Sequence, residues 1–262
     1  YTPNDLYAAA NDVDVRERTD EETLAQIIGD YDGLMIKTYT RVSKQVIDNA
    51  RKLKIVARAG SGLDKVDLVY AKEKGLPVRN TPQANVVSVA ELVFGLMLAV
   101  SRKLAAADRY VRSREGWDRD RFTGVELAGK TLGIVGFGNI GKLVARRALA
   151  FDMQPVGYDP FIDAAAMAEH GVRKVETVVD VIDVADYITV HVPLLDSTRN
   201  LFSTEQFGRM KSTAILINTA RGEVVDEPAL IAALQAGQIA GAGLDVYEAE
   251  PPNHPELLTL DN

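Results

Sequence analysis

The sequence predicts an α/β protein built from two doubly wound parallel-sheet domains. Three observations carry this. Helix-like and strand-like segments alternate along the first 80 residues. They alternate again from Lys130 onward. At 131–141 a short apolar strand runs into three spaced glycines, and a helical pattern follows. Such alternation means strands joined by helical crossovers, hence open parallel sheets.

In the first part, 21–28 reads as a helix, 33–37 as a strand, 44–50 as a helix and 55–58 as a strand. Ala59-Gly60-Ser61-Gly62 comes next, then a short helix around 66–74 and a strand at 77–80. Thr81-Pro82 marks the expected boundary between a flavodoxin-like domain, 1–81, and a second domain, 82–262. A long helix at about 86–102 is apolar on nearly all sides, which predicts burial between domains or subunits. Strands are expected at 131–135, 155–158, 187–191, 214–218 and 242–246. Helices are expected at about 139–151, 177–183, 204–209 and 226–236. Asp226 is a candidate N-cap, Pro228 falls in the first turn, and Gly237 is the stop. Tyr1 stands in what reads as the approach to a helix. Leu260-Asp261-Asn262 follow what reads as a loop, where a further strand is expected. Both ends read as cut off.

Composition narrows the function classes. The chain has 262 residues, enough for two domains. With 47% hydrophobic and 26% charged residues, a well-packed soluble protein is expected. A net charge of −7 argues against a general nucleic-acid surface. Arg109, Arg112, Arg114, Arg119 and Arg121 are interleaved with Asp108, Glu115, Asp118 and Asp120, which reads as a solvated or subunit-facing helix. No cysteine is present, so disulfides, thiol nucleophiles and Cys-ligated metals are excluded. His170, His191 and His254 are too scattered to suggest a metal cage. The longest apolar run, 92–100, is nine residues, too short to span a bilayer. No signal peptide is evident, and a cytoplasmic location is the default expectation.

The glycines are Gly136, Gly138 and Gly141, in the order Gly-x-Gly-x-x-Gly. Asp159 stands 18 residues after the last, at the end of the apolar run Pro155-Val156-Gly157-Tyr158. This is the Rossmann layout of a dinucleotide site. Gly136 permits the tight turn. Gly138 removes a side chain where the pyrophosphate approaches. Gly141 lets helix and strand pack closely. The helix N-terminus offers free N–H groups to the phosphates. Asp159 can accept from both ribose hydroxyls and would repel a 2′-phosphate. Pro160 and Phe161 follow, with no Arg or Lys, which favours NAD over NADP. The competing reading is that Asp159 merely caps a loop before Pro160.

Ligands in such sheets lie outside the carboxyl ends of the strands. The polar residues expected there are Asp159, then His191-Val192-Pro193-Leu194, then Asn218-Thr219-Ala220-Arg221-Gly222, then Asp245. The Arg221 guanidinium can hold a carboxylate or keto oxygen with paired hydrogen bonds. Equally, it can form a buried ion pair with Asp226 or Asp245. Glu250, 29 residues later on a Pro-braced loop, can orient a histidine and raise its pKa. It can also be a solvated loop acid, and Glu248 competes for either role.

These segments resemble the D-isomer-specific 2-hydroxyacid dehydrogenases. The likeness rests on residues 135–141, Tyr158-Asp159-Pro160, His191-Val192-Pro193-Leu194 and Asn218-Thr219-Ala220-Arg221-Gly222 with Val225-Asp226. It extends to Gly243-Leu244-Asp245-Val246 with Glu250-Pro251. Arg58-Ala59-Gly60-Ser61-Gly62 with Asp64 and Asp67, and Ser88-Val89-Ala90-Glu91-Leu92, are similar to that family's first domain.

The resemblance implies an Arg–Glu–His machinery. Arg221 would bind the substrate carboxylate and carbonyl, and Glu250 would support a histidine acid/base. The backbone amides of Ser61 and Gly62 would hold the carboxylate. Asn139 and Ile140 would touch the pyrophosphate, and Asp159 the adenosine ribose. His191, Val192, Pro193, Thr219, Ala220 and Asp245, with Ser61 and Arg221, would complete the cofactor contacts. In the family the histidine sits in a Thr-Pro-His segment after an Asp-Asn-Val strand. The sequence stops at Asp261-Asn262, so the expectation is that this segment and a C-terminal helix lie outside these residues. His191, in the cofactor-facing motif, and His254, in a Pro-rich loop, are not expected to fill that role.

Substrates across the family include 3-phosphoglycerate, glyoxylate, hydroxypyruvate and D-lactate. Lys37 and Arg58 occupy positions similar to phosphate-contacting arginines of phosphoglycerate dehydrogenases, and 117–141 is also similar to those enzymes. Tyr39 departs from the small residue usual there, and Lys37 and Arg58 also read as simple surface charges. The resemblance further implies a homodimer joined through the 86–102 region. The alternative function is a dinucleotide-sensing binding protein of the corepressor type, without significant turnover.

Overall fold

The computed structural model describes residues 12–16, 18–114 and 116–262. The expectation about Tyr1 lies outside these residues, as does Glu115. The chain divides into two compact units, the first ending at Ala84 and the second spanning Asn85–Asn262.

The first unit runs α1 (Glu21–Ile27), β1 (Gly33–Ile36), α2 (Lys44–Asn49), β2 (Ile55–Arg58), α3 (Leu68–Glu73) and β3 (Val78–Asn80). The three strands pair in parallel in the order β1-β2-β3. Asp20 caps α1 by accepting from Thr23 N, and Asp67 caps α3 by accepting from Tyr70 N. Leu24, Ile28, Ile36, Val46 and Val56 form its core.

The second unit opens with α4 (Val86–Ser101) and α5 (Leu104–Ser113). Then follow β4 (Thr131–Val135), α6 (Asn139–Ala150), β5 (Gln154–Tyr158), α7 (Ala164–Ala168), β6 (Arg173–Lys174), α8 (Val178–Val184) and β7 (Tyr187–Val190). It ends with α9 (Thr204–Arg209), β8 (Ile215–Asn218), α10 (Glu227–Gln235), β9 (Gly241–Leu244) and α11 (Pro255–Thr259). Its six strands are parallel in the order β6-β5-β4-β7-β8-β9. The order reverses direction between β4 and β7, which is the topological switch point of a Rossmann sheet.

Alternate residues of the central strands face opposite sides. Ile134, Tyr187, Ile215 and Ile217 pack with α4 and α6 residues such as Val93, Met97 and Val144. Val135, Ile188, Val190 and Leu216 pack with Ile182, Phe207 and Leu230 on α8, α9 and α10. Both faces are therefore covered, as a parallel sheet requires.

Within the second unit, α4 buries Ala90, Val93 and Met97 on the face toward α6, β8 and β9, whereas Val87 and Leu92 are exposed. Several expectations need correction. The strand β6 and helix α7 have no expected counterpart: two polar residues and a run of alanines carry no periodic signal. The helix α11 stands where a plain loop is expected. The basic stretch forms α5 up to Ser113 and a separate 3₁₀ turn at Asp120–Phe122 rather than one continuous helix. Asn262 lies beside β9, its carbonyl accepting from Ala242 N at 2.8 Å.

Candidate functional site

The site is built at the carboxyl ends of the second sheet. Gly136 has φ +95°, a conformation that favours glycine, and a Cβ there would lie 2.8 Å from the His191 carbonyl. Gly141 sits where a Cβ would be 2.4 Å from the Gly136 carbonyl oxygen, so α6 packs directly on the turn. Gly138 is the N-cap of α6, and the space its Cβ would fill is open. The first intrahelical bond beyond it runs from Lys142 N to Gly138 O at 3.0 Å, leaving the amides of Asn139 and Ile140 at the free end of the helix. This cradle fits a pyrophosphate.

Asp159 follows β5. Its Oδ2 accepts from Phe137 N at 2.8 Å and its Oδ1 from Phe161 N at 2.9 Å. Loop capping and ribose binding are therefore compatible, because each carboxylate oxygen has a second acceptor site. The two amide donors escaped the sequence reading, since nothing in Phe137 or Phe161 marks a donor.

After β7, the His191 imidazole is buried, with Nε2 at 3.0 Å from Thr189 Oγ1. Its Nδ1 makes no hydrogen bond with the described residues, and neither does the buried Thr219 Oγ1. Burial pushes the His191 pKa down to about 3, so the ring is neutral at physiological pH. Two unsatisfied polar atoms at adjacent strand ends are what a polar ligand would satisfy.

After β8, Asn218 shapes the turn that carries Arg221. Its amide donates to Arg221 O at 2.8 Å and its Oδ1 accepts from Ala220 N at 3.0 Å. Arg221 Nη1 donates to Ala220 O at 2.6 Å. Asp226 is engaged as the α10 cap, accepting from Ala229 N at 3.0 Å. Asp245 follows β9, its amide donating to Asn218 O at 3.0 Å. Burial, then the charge of Glu250, raises the Asp245 pKa. Glu250 and Asp245 are both exposed.

His254 lies 3.8 Å from Glu227 Oε2, and ligand atoms of Glu227, Glu248 and His254 lie within 4.8 Å of one another. Sequence reasoning missed Glu227, whose place beside a helix cap marks it only as a first-turn acid.

In the first unit, the Arg58 guanidinium donates to Ala59 O at 2.6 Å and to Gly62 O at 3.2 Å. It braces the loop that carries Ser61 and Gly62, a role its charge alone does not reveal. The Ser61 carbonyl accepts from Asn80 Nδ2 at 2.7 Å. Lys37 directly follows β1 and is exposed.

Residues 94–262 match the NAD binding domain of the D-isomer specific 2-hydroxyacid dehydrogenases. This chain belongs to that family. It binds NAD through its second unit. Over 251 residues it is 46% identical to D-3-phosphoglycerate dehydrogenase of Methanocaldococcus jannaschii, covering 96% of this chain and 48% of that protein. Over 250 residues it is 45% identical to hydroxypyruvate reductase of Thermotoga maritima, covering 94% of this chain and 80% of that protein. The chain thus spans about half the length of the phosphoglycerate dehydrogenases it matches. Among solved structures, D-lactate dehydrogenase from Aquifex aeolicus, complexed with NAD and lactic acid, superposes with a TM-score of 0.82 at 29% identity. That match covers 92% of this chain and 75% of the other. No helix among the described residues is long and apolar enough to cross a membrane.

Proposed function

We propose that this chain is part of an NAD-dependent dehydrogenase interconverting a D-2-hydroxy acid and its 2-keto acid, with 3-phosphoglycerate as the favoured substrate. One observation carries the reading: a cradle fit for a dinucleotide, Asp159 and Arg221 all stand at carboxyl ends of one sheet, with Glu250 on the loop after β9. NAD, when bound, supplies the hydride acceptor.

Arg221 holds the substrate carboxylate and polarises the keto oxygen through its planar fork. Glu250 orients a histidine acid/base and raises its pKa. His191 does not serve as that base, because burial lowers its pKa to about 3 and makes the ring a poor proton acceptor. His254 faces Glu227 and is not assigned the role either. The amides of Ser61 and Gly62 take the carboxylate, while Lys37 and Arg58 read a phosphate. Asn139 and Ile140 hold the pyrophosphate, Asp159 the ribose, and Val192, Thr219 and Asp245 the nicotinamide end. Residues 1–81 serve as the substrate domain and 82–262 as the cofactor domain. The exposed face of α4, with Val87 and Leu92, joins two copies in a homodimer.

Relatives named D-3-phosphoglycerate dehydrogenase at 46% and 43% identity support the phosphorylated substrate. The 45% identical hydroxypyruvate reductase makes hydroxypyruvate the competitor. The test is NADH absorbance with the full-length protein on phosphohydroxypyruvate, hydroxypyruvate, glyoxylate and pyruvate. A lag-free fall is expected, with the highest kcat/KM on phosphohydroxypyruvate. No turnover on any of them overturns the reading.

A further inference from the structure

Glu227 is the first residue of α10, where acids ordinarily complement the helix dipole from the surface. Here it is only 2% exposed. Burying a carboxylate is costly unless it is hydrogen-bonded and paired. Its Oε1 accepts from Glu248 N at 2.6 Å, a charge-assisted bond to the loop backbone two residues before Glu250. Its Oε2 accepts no hydrogen bond among the described residues and faces His254 Nε2 at 3.8 Å. One buried acid thus bonds the loop backbone before Glu250 and faces the His254 ring after it.

The same loop is pressed against the turn after Arg221. A Cβ on Gly222 would fall 1.9 Å from the Tyr247 carbonyl carbon and 2.4 Å from Glu248 N. No side chain fits between the two segments. Burial, then the charge of Glu227 among others, raises the Glu248 carboxyl, in keeping with this close placement.

We propose that Glu227 is a positioning residue for the reaction at Arg221 and Glu250: its buried carboxylate clamps the Glu250 loop against the Arg221 turn. This rests on the roles given above to Arg221 and Glu250. A displacement of about 1 Å at a reacting group can cost on the order of 10²-fold in rate.

The test uses the full-length protein with Glu227→Ala and Glu227→Gln. In Glu227→Ala, kcat is expected to fall by about tenfold or more, while the Kd for NADH is unchanged. In 2-keto acid reduction the histidine is the proton donor, so the upper break of the pH–rate profile moves down, because a displaced Glu250 no longer raises its pKa. Glu227→Gln keeps an acceptor for Glu248 N–H and recovers most of the loss. Hydrogen exchange at the Glu248 amide speeds up in Glu227→Ala and not in Glu227→Gln. If Glu227→Ala does not fold, Glu227→Asp, one methylene short of the loop, takes its place with the same expectations. Unchanged kcat, pH profile and Glu248 exchange overturn the inference. So does a loss of NADH binding that matches the loss of kcat. A wild-type protein without 2-keto acid turnover overturns the underlying reading instead, and Glu248 exchange still decides whether the clamp exists.

Discussion

The amide of Phe137 donates to Asp159 Oδ2 at 2.8 Å, so the acid after β5 is tied to the glycine turn after β4. The residue expected to meet the ribose also holds the phosphate cradle in place. Replacing Asp159 with Ala removes both functions at once. Hydrogen bonds to a charged group are worth about 1.5–3 kcal/mol each, so the Kd for NADH should rise by roughly 10- to 100-fold. The preference for NADH over NADPH should narrow, since the repulsion of the 2′-phosphate is gone while both cofactors lose the same cradle support. Calorimetric titration with both cofactors checks this. An unchanged NADH affinity would remove Asp159 from the site.

Gly141→Ala tests the cradle through packing. The new methyl would sit 2.4 Å from a backbone oxygen that cannot move without opening the turn. Overpacking of this kind costs about 1–3 kcal/mol. Gly138→Ala is the contrast, because its methyl enters open space. Urea denaturation should show a lower midpoint for Gly141→Ala and almost none of that loss for Gly138→Ala. Only NADH binding should suffer in Gly138→Ala. Equal destabilisation of the two variants would contradict this division of roles.

Much of the cofactor site is legible because its signals are local. The turn at Gly136, the packing at Gly141 and the acid at Asp159 are fixed by spacing along the chain. The Asp226 cap and the Gly237 stop of α10 are legible for the same reason. What escapes the sequence depends on tertiary neighbours. Glu227 looks like any first-turn acid, and only the fold places it beneath Glu248. Arg58 reads as a phosphate ligand or a surface charge until its bonds to Ala59 and Gly62 are seen. The strand β6 is two polar residues long and shows no alternation at all.

The buried His191 predicts an acid sensitivity. Its folded-state pKa is about 3 against an ordinary 6.5, because burial disfavours the charged ring. Below pH 6.5 the unfolded chain takes up this proton first. The stability that the neutral ring contributes is therefore intact above about pH 6.5 and is lost as pH falls toward 3. The loss is at most about 1.4 kcal/mol per pH unit. Urea midpoints of wild type and His191→Asn, measured from pH 7 to 5, should diverge in slope, with the variant flatter. Parallel slopes would mean that the ring does not titrate in this way.

Arg221→Lys separates substrate binding from cofactor binding. The charge is kept, but the two-pronged geometry that grips a carboxylate and a keto oxygen is lost. Asn218 shapes the turn through Arg221 O and Ala220 N, so the backbone should survive the change. Losing one charge-assisted hydrogen bond of about 1.5–3 kcal/mol corresponds to roughly 10- to 100-fold in kcat/KM. The Kd for NADH should stay within about twofold, because the cradle at Gly138 and the acid at Asp159 are untouched. Steady-state kinetics on 2-keto acids and fluorescence titration of NADH give the two numbers. If both fall together, Arg221 belongs to the cofactor and the substrate is held elsewhere.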